Sequence, residues 1–243
     1  PFEAHDHQLR AFAIAVRSKR SVLVSPTASG KSLIVYLLTR YYDSRTLIVV
    51  PNIGLVHQLY ADFTDYGYVS DEHVHRIFGG QDKHTDKQVV ITTWQSVYEM
   101  DKRFFESFDV IIGDEAHLFK AQSLTKIMSS MTNTKYRFGL TGTLDGSVVN
   151  ELVLTGLFGP TEKIISTKEL IDSGKLADLK VKVLMLNHPK EECQKVKGGT
   201  YQNEVDHIVS FDPRNKFIRN LAVSLRGNTL ILYAYVEKHG QVL

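Results

Sequence analysis

Ser25-Pro26-Thr27-Ala28-Ser29-Gly30-Lys31-Ser32 is the stretch on which the reading of this chain turns. It lies between an apolar run, Val22-Leu23-Val24, and a segment of helical spacing that carries Leu33, Val35, Leu37 and Leu38. Strand, tight turn and helix in that order form a cradle for phosphate. Backbone N–H groups from Thr27, Ala28, Ser29 and Gly30 onward point inward and the helix dipole adds positive potential. Lys31 reaches the outer phosphates, and the Ser32 hydroxyl is a ligand for Mg²⁺. The usual pattern, G-x-x-x-x-G-K-[ST], opens with glycine. Here Ser25 takes that place, so the loop must turn there without a free choice of positive φ. The alternative is an ordinary strand-to-helix turn that ends in Gly-Lys-Ser, and the surrounding order of elements argues against it.

Working outward, Thr46 to Val50, Val74 to Phe78, Val89 to Thr92, Val110 to Gly113 and Tyr136 to Leu140 are short apolar or β-rich runs. Between them lie helical spacings, with Leu55, Val56, Leu59 and Phe63 on one face and Leu124, Ile127, Met128 and Met131 on another. Strands that are apolar throughout and alternate with helices are what a parallel sheet covered on both faces requires. The expected fold is a doubly wound α/β domain. Upstream, His5 to Arg10 opens a helix whose Leu9, Phe12, Ala13 and Val16 are predicted to face the core.

The run Val110-Ile111-Ile112-Gly113 delivers Asp114-Glu115-Ala116-His117 to the carboxyl edge of the sheet, where the phosphate loop also lies. Asp114 can hold the Mg²⁺ that bridges the outer phosphates, and Glu115 can polarise the attacking water. Acid pairs at strand ends also occur as plain loop residues; the phosphate loop upstream favours the chemical reading. His117 has no second His or Cys at ligand spacing to make it a metal site. Gln8 can bond an adenine edge through both its amide donor and its carbonyl, or be an exposed helix-start residue. Thr141-Gly142-Thr143 either reports the state of the nucleotide site or is a turn.

Near Ser166 the pattern changes. Ser166 and Glu169 form a capping box for a short helix stopped by Gly174. Val181 to Leu186 and Leu230 to Tyr233 read as strands, and Pro189 to Gly199 as a polar loop or hinge. Asp212-Pro213 reads as N-cap and first-turn proline of a helix that buries Phe217, Leu221, Ala222 and Leu225.

The 243 residues carry 29 Lys and Arg against 27 Asp and Glu, so net charge makes no general case for nucleic acid; any such contact must be local. The single cysteine, Cys193, excludes an intrachain disulfide and a cysteine-based metal cluster and suits a reducing interior, with cytoplasm the default. No apolar run approaches the ~20 residues of a membrane span. With Pro1 first and Leu243 directly after an apolar run, both ends are expected to be cuts in a longer protein.

From Gln8 to about Pro160 the ordered series resembles the superfamily 2 nucleic-acid helicases and translocases. The series is Gln8, Ser25 to Ser32, Val50-Pro51-Asn52, Gly79-Gly80, Ile91 to Ser96, Asp114 to His117 and Leu140 to Leu144. The resemblance implies a RecA-like lobe over residues 1–165, and a connector with the truncated start of a second RecA-like lobe over 166–243. It implies ATP and Mg²⁺ bound by Gln8, Thr27 to Ser32 and Asp114, with Lys31, Asp114 and Glu115 catalytic. Pro51, Asn52, Gly79, Gly80, Thr93, Gln95 and Ser96 would touch a nucleic-acid backbone, and His117, Thr141 and Thr143 would couple hydrolysis to lobe movement.

The implied function is an ATP-driven DNA helicase for branch migration or fork remodelling in recombination and repair. Its partner would be branched or forked DNA, or an RNA–DNA hybrid, and the missing second lobe would complete it in cis. An RNA helicase, a duplex translocase, a non-motor ATP-dependent clamp and a P-loop phosphotransferase are the alternatives. Three departures stand out. Asp114 to His117 matches the box of an RNA-helicase group, whereas Thr141-Gly142-Thr143 is similar to DNA-directed members. His5 stands where many relatives have Arg. The second-lobe arginines that complete the ATP site have no counterpart here.

Overall fold

The apolar runs become the strands of a parallel sheet. They are β1 (Arg20–Val24), β2 (Thr46–Val50), β3 (Val74–Ile77), β4 (Val89–Thr93), β5 (Val110–Gly113), β6 (Tyr136–Thr141) and β7 (Thr161–Lys163). The computed structural model describes residues 2–118, 121–143 and 148–243, and of 121, 124 and 148–150 the backbone alone, so Leu144 and the Leu124 side chain lie outside the described residues. Across the sheet the order is β3-β4-β2-β5-β6-β1-β7, with every pair parallel. Crossovers on both faces explain why β2, β4 and β5 are buried at every residue.

Three helices flank the phosphate loop and the strand that follows it: α1 (Asp6–Ser18), α2 (Lys31–Tyr42) and α3 (Ile53–Asp65). Ile34, Val35 and Leu38 of α2 and Val56, Leu59 and Phe63 of α3 pack on Ile48, Val50, Ile91 and Ile112. The opposite sheet face, with Leu47, Val49, Val90 and Ile111, packs against Phe105, Phe108, Ile127, Met128 and Phe158. Each buried large apolar side chain contributes about 1.5–3 kcal/mol, so these two layers hold the sheet rigid under its loops. The doubly wound α/β architecture is as expected.

Several local expectations are corrected. The predicted face of α1 is rotated, because Leu9 and Ala13 are exposed and the buried residues are His7, Gln8, Ala11 and Ala15. The helix lies against the phosphate loop and buries its polar start there, with small alanines behind, so apolar periodicity alone misplaces the face. The helix Val148–Phe158 and strand β7 were not anticipated. Ser166 and Glu169 do form the capping box, on the helix Thr167–Asp172.

The chain divides into two units, residues 1–178 and 179–243. Within the second, Val181–Leu186 and Leu230–Tyr233 are not strands: Val183 is 80% exposed and Leu232 84%. A strand needs a neighbour for its N–H and C=O groups and a layer over its apolar face. Among the described residues neither run has them. The expected loop at 189–199 contains a helix, Lys190–Val196, and a further helix, Tyr201–Ser210, is capped by Thr200 and Asn203. Asp212 is the first residue of the helix Asp212–Ser224 and not its cap, and Phe217 and Leu225 on the predicted apolar face are exposed. Leu221 and Ala222 of that face are only half-buried, and among the described residues of this unit there is no sheet for it to cover. No helix among the described residues is long and apolar enough to cross a membrane.

Candidate nucleotide site and nucleic-acid edge

Because β6 lies between β1 and β5, the loop after β1 and the acids after β5 are one strand apart, with residues 141–143 between them. The loop is closed at its base: Ser25 N donates to Thr141 O at 2.9 Å, and Ser25 Oγ donates to Ser29 Oγ at 2.7 Å. Positive φ falls at Ala28 (65°) and Gly30 (75°) and not at Ser25. The serine in the place of a glycine therefore needs no left-handed conformation and adds a buried hydroxyl clasp. Gly30 is favoured by its φ of 75°, strained for any residue with a Cβ, and a Cβ there would also displace the Gln8 amide from the loop.

Gln8 is buried, so it is not an exposed helix-start residue. Its Oε1 accepts from His5 N at 2.8 Å, and its Nε2 donates to Ser29 O and Gly30 O at 3.1 and 3.3 Å. The His7 ring bonds Ser29 O at 2.8 Å. Two side chains of α1 thus fix the carbonyls of Ser29 and Gly30 in the loop, while the Ser29 N–H donates to Pro26 O at 3.2 Å.

Asp114 is buried beside Glu115. Burial first, and then the Glu115 charge, pushes its carboxyl up from 3.8 to about 6, against the pull of Lys31 and the Glu115 N–H. Glu115 has φ of 48°, a left-handed conformation that costs a residue with a Cβ roughly 1–2 kcal/mol. That backbone turns its carboxylate into the cluster. Oε1 pairs with Lys31 Nζ at 3.0 Å, while Oε2 accepts from Gly142 N at 3.3 Å and lies 3.5 Å from His117 Nδ1. Thr141 Oγ1 donates to Thr143 O at 2.7 Å, so it accepts from His117 Nδ1–H at 2.5 Å, which fixes the tautomer. A continuous polar chain runs Lys31, Glu115, His117, Thr141, Thr143.

The two expected magnesium ligands are not joined by a contact. The Ser32 hydroxyl is bonded instead to the Tyr66 hydroxyl at 2.9 Å. Among the described residues there is no group of three or more His, Cys, Asp or Glu able to hold a metal. The donor set of one buried carboxylate and one hydroxyl suits a magnesium ion that takes its remaining ligands from phosphates and water. Asp114 fits that ion on physical grounds as well, since Lys31 and the Glu115 N–H only partly offset its buried charge. Tyr66 and His7 were missed by sequence reasoning. His7 had a signal in its place beside Gln8; Tyr66, far from the loop in sequence, had none.

Thr93 ends β4, and Pro51, Asn52, Gly79, Gly80, Gln95 and Ser96 follow the carboxyl ends of the adjacent strands β2, β3 and β4. Gly79 and Gly80 have φ of 52° and 87°, are exposed, and have open space at the Cβ position. Gln95 is exposed as well. Three of the set are engaged locally. Asn52 Oδ1 caps α3 by accepting from Leu55 N at 3.0 Å, and the hydroxyls of buried Thr93 and half-buried Ser96 share a 2.8 Å bond.

A family model described as "Type III restriction enzyme, res subunit" matches residues 2–146. The chain is 35% identical over 252 residues to the ATP-dependent DNA helicase uvsW of Enterobacteria phage T4, covering 99% of this chain and 50% of that protein. It is 30% identical over 203 residues to the DNA 3'-5' translocase XPB2 of Sulfurisphaera tokodaii, covering 81% and 43%. A crystal structure of T4 UvsW superposes with a TM-score of 0.63 at 36% identity, covering 91% of this chain and 45% of that one. The chain spans about half the length of the curated relatives it matches.

Proposed function

The chain belongs to the family of the type III restriction enzyme res subunit, as a superfamily 2 helicase with a RecA-like lobe that resembles UvsW, and from that premise we propose that it drives movement along DNA by ATP hydrolysis. The observation that carries the reading is the 3.0 Å pair of Lys31 and Glu115 beside buried Asp114. On binding ATP, Lys31 leaves Glu115 for the outer phosphates. Glu115, released, accepts a proton from the attacking water as the water oxygen bonds to the γ-phosphorus and the bond to the bridging oxygen breaks, giving ADP and phosphate. Asp114, and Ser32 on giving up its Tyr66 bond, would hold Mg²⁺, which would supply charge neutralisation at the outer phosphates. Gln8 and His7 hold the loop open for phosphate; adenine recognition by Gln8 requires its amide to exchange a loop carbonyl for the base. The His117–Thr141–Thr143 chain transmits the change at Glu115 to the surface.

Strand contact falls to Pro51, Asn52, Gly79, Gly80, Thr93, Gln95 and Ser96, whose backbone amides and hydroxyls suit phosphates and sugars and carry no sequence information. The substrate is branched or forked DNA, in keeping with the DNA helicase it resembles. Residues 1–165 act as the first lobe and 166–243 as a connector with the start of a second. Among the described residues the cation that touches the acid pair is Lys31. A transition-state arginine, which contributes roughly 10³ to 10⁵ in rate, would come from a second lobe. These 243 residues alone are therefore expected to bind nucleotide weakly and to show neither unwinding nor strand-stimulated turnover. The test is ATPase and unwinding of the 243-residue chain and of the full-length protein on matched forked DNA, duplex DNA and RNA. Turnover stimulated by forked DNA in the full-length protein alone supports the reading; equal stimulation by RNA, or full activity of the 243 residues, overturns its specific part.

A further inference from the structure

The outer edge strand carries an arginine that the nucleotide chemistry does not use. β3 is the last strand of the sheet and pairs with β4 alone. Alternation along it places Val74, Arg76 and Phe78 on one face, the face that α3 covers. On α3, His57 and Tyr60 are one turn apart and share a side of the helix. The two sets meet. The Arg76 guanidinium carbon lies 4.0 Å from the centroid of the Tyr60 ring, its Nη1 donates to His57 Nδ1 at 3.2 Å, and His57 stands edge-on to Phe78 with centroids 4.8 Å apart.

Surface arginines are commonly neutralised by a carboxylate, but among the described residues no hydrogen bond or ion pair joins Arg76 to one. Arg76 lines a cavity of about 230 Å³ together with Tyr60, Asp71, His75, Phe78 and Lys87. The one carboxylate there, Asp71, accepts from the Tyr60 hydroxyl, and Lys87 Nζ is anchored on the Asp71 and Val74 carbonyls at 2.6 and 3.2 Å. The cavity thus has two fixed cations to one acid. His57 accepts through Nδ1, so its Nε2 carries the proton and is a further donor. A guanidinium held flat by a ring on one side and an imidazole on another is a pre-positioned fork, the geometry that suits phosphate oxygens.

Its place on the sheet suggests whose phosphate. Gly79 follows three residues after Arg76, about 10 Å along the strand, and α3 starts directly after Pro51-Asn52. The Arg76–His57 contact therefore ties together the elements that carry two of the loops assigned above to nucleic acid. We propose that Arg76, held by Tyr60 and His57 and flanked by Lys87, is a phosphate-binding site that extends the nucleic-acid track from Gly79-Gly80 onto the outer edge of the sheet. This rests on the helicase reading above and adds residues to its DNA surface.

The test is the salt dependence of single-stranded DNA binding by the full-length protein, for two unrelated sequences between about 50 and 200 mM salt. Arg76→Gln is expected to weaken binding to both sequences equally and to flatten the slope of log K against log salt by about 0.7, the value for one lost phosphate contact. Lys87→Gln is expected to flatten it similarly, which keeps the test alive if Arg76→Gln fails to fold. Arg76→Lys should keep the slope and lose affinity several-fold, because it keeps the charge and loses the fork. Arg17→Gln, on an exposed site of α1, should change neither. An unchanged slope in folded Arg76→Gln and Lys87→Gln overturns the proposal and leaves the helicase reading intact, as does a loss confined to one sequence. Inorganic phosphate that competes at matched ionic strength without any change in the DNA slope identifies a free-phosphate site and overturns the proposal too. Wild-type protein that binds no DNA defeats the helicase reading itself.

Discussion

The two halves of the sheet's carboxyl edge are built on opposite principles. At the ends of β1, β5 and β6, polar side chains are held by one another: Lys31 by Glu115, Ser25 by Ser29, His117 by Thr141, Ser32 by Tyr66. At the ends of β2, β3 and β4, Gly79, Gly80 and Gln95 face open space, and the engaged groups there serve helix starts and a local hydroxyl pair. A site that moves charge must have its dipoles aimed before the substrate arrives, since reorganisation during the reaction raises the barrier. A surface that a strand slides across gains nothing from such locking, because each contact must be released at every step.

The sharpest way to break that contrast is Glu115→Gln in the full-length protein. Mg-ATP binding should survive, and turnover should fall by about 10²- to 10⁴-fold, because an amide cannot accept the proton from water. Steady-state ATPase beside nucleotide titration is the measurement; normal turnover would reduce Glu115 to a structural partner of Lys31.

Next in size is the pH dependence set by Asp114. Its carboxyl is raised from 3.8 to about 6 by burial and by Glu115, so its contribution to stability is full below about 3.8 and is lost as pH rises through about 6. The difference between those values amounts to on the order of 3 kcal/mol. Asp114→Asn should remove this dependence and melt higher than wild type at pH 7.5 in the absence of nucleotide, with the gap closing toward pH 4. Melting curves of both proteins across that range test it; a gap that does not change with pH would show that the acid is not buried as a charge.

Lys31→Ala should weaken nucleotide binding by about 10- to 100-fold, from the loss of one charge-assisted phosphate contact. Glu115 and Asp114 would then lack their cation, so the melting temperature should fall as well; titration by calorimetry at a temperature where the variant is folded is the check, and near-wild-type affinity would remove the phosphate role. The smallest effect belongs to the open edge. Replacing Gln95 and Ser96 together by Ala should weaken single-strand binding only several-fold, and equally for unrelated sequences, because phosphate contacts carry no base information. A large or sequence-dependent loss would mean that this edge is as pre-organised as the other.

Much of this was legible in the amino-acid order. Thr46 to Val50 and Val110 to Gly113 announce buried parallel strands, and Ser25 to Ser32 announces the tight turn from β1 into α2 beside Asp114-Glu115. Those signals are short-range: side-chain period, turn chemistry and strand-end acids are properties of a few consecutive residues. The expectation for the second unit failed where a signal of the same kind lacked a partner. Val181–Leu186 is as apolar as a buried strand, yet among the described residues it has no neighbouring strand and stays exposed.

The rest was decided only in three dimensions. That Gln8 clasps the carbonyls of the phosphate loop, that Tyr66 holds Ser32, and that Arg76 lies on Tyr60 are contacts between segments far apart in the chain. By itself the sequence determined the apolar strands of the first unit from Thr46 to Leu140, the tight turn between β1 and α2, and the delivery of Asp114 and Glu115 to the same edge, because local backbone preference and apolar periodicity suffice for that. Only the tertiary structure decided which polar groups are already engaged and which remain open, because a hydrogen bond depends on what the fold packs beside a side chain, and no local pattern carries that information.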